Sequence, residues 1–129
     1  MVTNGDKRTI SVNIATNLSA KSGYFVSLVD NGQYPTAALL EAATSVPFIL
    51  IDGADGSSTA TSGTIAISGV TTLKIGGSVT AGDKLTATTG GAGITTVTDK
   101  NNYGAIALES GASGDEIRAL VVQGMISAT

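Results

Sequence analysis

Apolar and polar positions alternate along this chain in short runs. Ile10, Val12 and Ile14 alternate with Ser11 and Asn13, a period of two that places the two sets on opposite faces of a strand. Residues 1–20 therefore read either as the first strand of a domain or as an N-terminal arm that adds a strand to a neighbour. Residues 23–34, GYFVSLVDNGQY, form the clearest hairpin, because Asn31-Gly32 accepts the positive φ of a tight two-residue turn. Residues 35–45, PTAALLEAATS, are rich in helix formers behind Pro35, which a first helical turn tolerates. At most one short helix fits there, and an irregular strand and loop fit equally well.

Further on the strands come quickly. VPFILID at 46–52 is apolar without alternation, the pattern of a strand buried on both faces, and it stops at Asp52-Gly53-Ala54-Asp55-Gly56. After a polar loop at 57–63, strands are expected at 64–68, 71–75, 84–89, 94–98, 105–109 and 117–122, with Gly-rich turns between them. The pattern pairs Ile65 with Ile67 and Leu73 with Ile75, and it turns Ile106 and Leu108 inward together. A strand about every ten residues is the rhythm of a sandwich or a small barrel, so the fold class is all-β. Residues 21–129 form one β-rich domain on this reading.

Two features of the second half stand out. In the last strand Ile117, Ala119 and Val121 share one face, yet Leu120 and Val122 lie beside Arg118 on the other. Apolar residues on both faces mean that the second is covered, either by another sheet of the same chain or by another subunit. There is also an internal echo. SGTIAISG at 62–69 resembles YGAIALESG at 103–111, and Gly82-Asp83-Lys84-Leu85 resembles Gly114-Asp115-Glu116-Ile117. The two likenesses have different offsets, 41 and 32 positions, so no solenoid or propeller period follows.

Composition narrows the chemistry. The chain has no Cys and no His, which removes thiolate metal sites, disulfides and every imidazole-based triad. Its 129 residues carry a net charge of −3 without a basic cluster, so nucleic acid is not an expected partner. Seventeen Gly and eighteen Thr suit short strands and tight turns, while five aromatic residues leave a core of small aliphatics. The longest apolar run, Val46–Ile51, is far short of a membrane span, and the polar first twenty residues do not read as a secretory signal. A soluble protein made in a cytoplasm, with no membrane partner, is expected.

Motifs that imitate sites are weak. Gly77–Gly82 has the glycine spacing of a phosphate loop, but Asp83 stands where that loop needs Lys. Asp52 and Asp55 sit in a Gly-rich loop as calcium ligands do, without the bidentate Glu that completes such a site. Ser19 and Lys21 are close in sequence, a chance spacing more often than a dyad. No catalytic, metal or cofactor residue is therefore assigned, and a binding protein without enzymatic activity is expected.

Residues 66–86, AISGVTTLKIGGSVTAGDKLT, and 104–124, GAIALESGASGDEIRALVVQG, resemble the decoration, or cement, proteins of tailed-bacteriophage heads. The matching residues are Ser68-Gly69-Val70, Gly76-Gly77, Thr80-Ala81-Gly82-Asp83-Lys84 and Gly104 with Ile106-Ala107-Leu108-Glu109. A weaker likeness runs through Gly23–Val29 and Val46–Asp52, and residues 1–20 match nothing.

The resemblance implies a small β-barrel or β-tulip domain that forms a homotrimer on the outside of the virion capsid. Its partner would be the major capsid protein, and it would need no cofactor. Capsid contact is then expected from the N-terminal segment, through Val2, Thr3, Asn4, Lys7, Arg8, Ile10 and Val12. The subunit interface is expected at Arg118, Leu120 and Val122. The alternative is a glycan- or receptor-binding module on a virion or cell surface, which the shortage of aromatics disfavours.

Overall fold

The computed structural model describes residues 8–14, 18–29, 36–39, 47–53, 62–88 and 90–127. Among them the secondary structure is all β, with no helix. The strands are β1 (Arg8–Ile14), β2 (Phe25–Val29), β3 (Thr36–Leu39), β4 (Phe48–Asp52), β5 (Ser62–Lys74), β6 (Lys84–Ala87), β7 (Gly93–Thr95), β8 (Asn102–Ala107) and β9 (Glu116–Met125).

Two sheets share one long strand. β1, β3, β2, β4 and β5 pair in that order, and β1 also pairs with β5, which closes a five-stranded barrel. The second sheet continues from β5 through β9, β8 and β6 to β7. A parallel bridge between Ile75 and Gly93 brings its far edge back beside the end of β5. The sequence pattern predicts two strands at 64–68 and 71–75; instead β5 runs unbroken over 13 residues. Gly69 reads as a turn but sits at φ 95 inside the strand. There β5 changes partners, from β1 and β4 before Gly69 to β9 from Gly69 onward.

Each sheet encloses its own core. Val12, Ile14, Leu18, Val26, Ala37, Leu50 and Ile65 fill the first barrel. Leu73, Ile75, Val79, Leu85, Ala105, Ala107, Ile117, Ala119 and Val121 form the second core, joined by Phe25, Ile49 and Ala66 from strands of the first barrel. The unalternating run at β4 is explained by this division, since Ile49 serves one core and its neighbour Leu50 the other. Burial of these small aliphatics is the main favourable term, at about 25 cal/mol per Å² of apolar surface.

Of residues 35–45 the structure describes 36–39. Thr36–Leu39 is a strand, antiparallel to β2 with Val29 opposite Thr36, whereas the expected hairpin spans residues 23–34. Its Asn31-Gly32 turn and residues 40–45 lie outside the described residues.

The echo with offset 32 is an internal repeat in the structure. Lys74 pairs with Glu116 as Ile106 pairs with Lys84, each residue moved by 32. Ile75 N–H donates to Asp115 O and Ala107 N–H donates to Asp83 O, at 3.0 and 2.9 Å. Val79 and Gly111 exchange two backbone bonds of 2.9 Å on the axis between the halves. Both turns use the same device: Asp83 Oδ2 accepts from Thr80 N–H, and Asp115 Oδ2 accepts from Ala112 N–H, each at 2.9 Å. Gly82 and Gly114 supply the positive φ that each turn requires, 95° and 93°. The offset-41 likeness has no such counterpart, because 62–69 belongs to β5 and pairs mainly within the first barrel.

Candidate functional site

The surface that stands out is the outward face of β5, β9, β8 and β6. Side chains directly opposite each other in antiparallel strands lie on one face. The pairings Val70–Leu120, Leu120–Ile106 and Ile106–Lys84 therefore lay a row across four strands. All three apolar members are half-buried, and Val122 on the same strand face is too. Beyond this row Leu108 is 45% exposed.

This face corrects one expectation. The sequence pattern turns Ile106 and Leu108 inward, but Ala105 and Ala107 face the core instead, at 0% and 1% exposure. Alternation alone does not say which set is inside. The alanines go in because the second core is narrow, and the larger aliphatics are left on the surface. β9 shows the same economy, with Ala119 buried between strands and Leu120 outside. Large aliphatics directed outward while alanines fill the interior mark a surface meant to be covered.

Charged groups border the apolar row. Arg118 Nε and its backbone N–H both donate to Glu109 Oε2 at 2.9 Å. The side-chain bond, then the backbone one, hold the Glu109 carboxyl below its ordinary pKa. Both partners are well exposed, so the pair adds little stability and chiefly fixes two opposite charges at the edge of the face. Lys84 closes the row at the other end, its ammonium 5.2 Å from the centre of the Tyr103 ring.

Past Lys84 lies a cleft of about 320 Å³, lined by Asp83, Lys84, Thr95, Thr96, Val97 and Ile126 among others. Its polar groups are occupied: Asp83 Oδ2 accepts from Thr95 Oγ1 at 2.8 Å, and Thr96 Oγ1 accepts from Asn101 Nδ2 at 3.0 Å. Val97, which lines it with Ile126, is 77% exposed; Met125, outside that lining, is 61% exposed at the end of β9. Neither Val97 nor Met125 stands out in sequence. Val97 lies in a Thr-rich run, and Met125 ends a strand where burial is not expected.

The expected interface residues Arg118, Leu120 and Val122 come together on the outward face. The expected capsid-contact residues separate. Arg8 and Ile10 are exposed on β1. Val12 packs into the first core at 4% exposure, which leaves it no surface to offer a partner. Val2, Thr3, Asn4 and Lys7 lie outside the described residues. Asp52 ends β4 in an exposed position, and Asp55 is not described. Among the described residues no group of three or more acidic side chains is placed to hold a metal ion. Lys21 lies over the Tyr24 ring at 4.5 Å.

The chain shares its fold with a known phage head protein. The N base of head fiber gp8.5 in bacteriophage phi29 superposes with a TM-score of 0.68 at 11% identity. The match covers 95% of this chain and 99% of that one. No family model matches the sequence, and no curated protein sequence matches it.

Proposed function

We propose that this protein is a structural component of a tailed-phage head, a decoration protein that binds the capsid exterior as a homotrimer and stabilises it without catalysis. The observation that carries this reading is the fold shared almost end to end with a phage head fiber base. The resemblance in the turn at Thr80–Lys84 and in the strand at Gly104–Glu109 supports it from the sequence side.

The mechanism is linkage. A ligand that binds the assembled shell and not its parts stabilises the shell by about 2.7 kcal/mol per site at a free concentration a hundred times Kd. A trimer adds avidity, because the second and third contacts form within reach of the first. The exposed Arg8 and Ile10, with Val2, Thr3, Asn4 and Lys7 before them, are the residues that would meet the major capsid protein. A glycan platform is less well supported, since the rings of Tyr24 and Tyr103 already lie under lysine ammoniums.

The test is to assemble heads with and without the protein and to follow DNA release on heating. Heads that carry it should retain DNA to a higher temperature, with bound copies counted by mass. Equal release temperatures at full occupancy would end the reading.

A further inference from the structure

Strand β7 ends the order of the second sheet, and its outer side is only partly occupied. The ladder with β6 runs on past β7, since Thr96 N–H donates to Lys84 O at 2.9 Å. Main-chain groups alternate along a ladder, so those of Gly93, Thr95 and Val97 point away from β6. Gly93 is met there by the end of β5, where Gly76 N–H donates to its carbonyl at 2.9 Å. The chain then turns off, because Val79 exchanges its backbone bonds with Gly111 instead. The position beside Thr95 and Val97 is left open. Among the described residues no backbone group bonds to the N–H or C=O of either on that side.

This edge lacks the usual guards. Exposed edges are blunted by Lys, Pro, a bulge or a covering segment. Residues 93–97, GITTV, hold neither charge nor Pro, and Val97 is 77% exposed. Ile, Thr and Val are also residues that suit a strand. The edge is held in place by the Gly76 bond at Gly93 and by the bond from Thr95 Oγ1 to Asp83 Oδ2. Open N–H and C=O groups at ladder spacing are matched by a second extended chain. Side chains of that chain opposite Thr95 and Val97 share their face, which opens on the cleft of about 320 Å³. Asp83, Thr95 and Thr96 already have partners there, so a small apolar side chain suits the cleft beside Val97 and Ile126. Asp83 and Lys84 line it together, and charge selects nothing. A second copy is the poorer occupant. One β7 against another is a two-fold contact, and a ring of three has no place for it.

We infer that the outer edge at Thr95 and Val97 takes up an extended segment of the capsid protein by strand addition. The inference rests on the decoration reading above and assigns the main-chain groups that grip the shell.

The test compares the full chain free and bound to heads, by hydrogen–deuterium exchange on fragments spanning 93–98. Binding should slow about two amides there, those of Thr95 and Val97, since Ile94 and Thr96 already face β6. Val97→Pro removes one of these N–H groups without breaking a backbone bond of the free protein, and Pro is tolerated on an edge. It should bind heads at least about fivefold more weakly than Val97→Ala, which shortens the side chain but keeps the N–H. Circular dichroism checks folding. If Val97→Pro does not fold, Val97→Lys, which guards the edge with a charge, takes its place in the same comparison. Heads bound while both amides exchange as in the free protein, or the two variants binding alike, would overturn this assignment and leave the decoration reading standing. Protection that arises in the free protein at high concentration would give the edge to a second copy and overturn it as well. A chain that binds no heads would sink both readings.

Discussion

Leu73 and Gly93 test how tightly the second core is built. Leu73 is fully buried on β5, and an added Cβ at Gly93 would lie 2.7 Å from its Cδ2, 3.3 Å from its Cγ and 3.4 Å from Phe25 Cε2. Leu73→Ala removes the first two of these neighbours and leaves a cavity, at a cost of about 2–5 kcal/mol. Gly93→Ala forces a methyl into occupied space, at about 1–3 kcal/mol. Combined, the new methyl enters the space that Leu73 vacated, so the double variant should be less destabilised than the sum by about 1–3 kcal/mol. Against a total of about 5–15 kcal/mol for a domain, each effect is readily measured. Urea unfolding followed by far-UV circular dichroism gives all three values, at one fixed protein concentration because association shifts the midpoint. A single transition is expected throughout, since Phe25 and Ile49 belong to strands of one sheet and to the core of the other. Additivity within about 0.5 kcal/mol would refute the packing argument.

Three further outcomes follow from local geometry. Glu109 should titrate below an ordinary glutamate, and Arg118→Gln should raise it only part of the way, because the backbone N–H of residue 118 still donates to it, as read by NMR; any stability it contributes is present above its unfolded pKa and is lost as pH falls through the folded one. Asp83→Ala should destabilise more than Asp115→Ala in thermal unfolding, because both lose a turn N–H bond worth about 1 kcal/mol and Asp83 also loses Thr95. Lys100→Gly should raise the melting temperature, since Lys100 holds φ 70 and the left-handed region costs a side chain about 1–2 kcal/mol, partly offset by the flexibility of glycine.

Much of the fold is legible in the residues. Strand β2, the doubly buried β4 and the inward set Ile117, Ala119 and Val121 all follow from the apolar pattern, whereas β3 does not, since its residues are helix formers. The join at Gly69 is not legible, because glycine at positive φ marks a turn far more often than a strand exchanging partners. The phase of β8 is misread for a related reason: pattern rules put the larger apolar set inside, whereas a narrow core takes alanine. The internal repeat survives in sequence only at its two turns, where backbone conformation demands Gly-Asp, and has faded along the strands between. Of the candidate site, Arg118, Leu120 and Val122 are visible because β9 is apolar on both faces. Val97 and Met125 are invisible, since their exposure depends on where distant segments pass.

β5 also has a mechanical meaning. At about 3.3 Å per residue its 13 residues reach roughly 43 Å, hydrogen-bonded on both sides of the Gly69 junction. Tension drawn along it between the two sheets would load many ladder bonds in parallel instead of unzipping them one by one. Paired domains on a flexible tether yield at their hinge; here a tie-rod runs through both halves, and the molecule would resist stretching as a single stiff rivet.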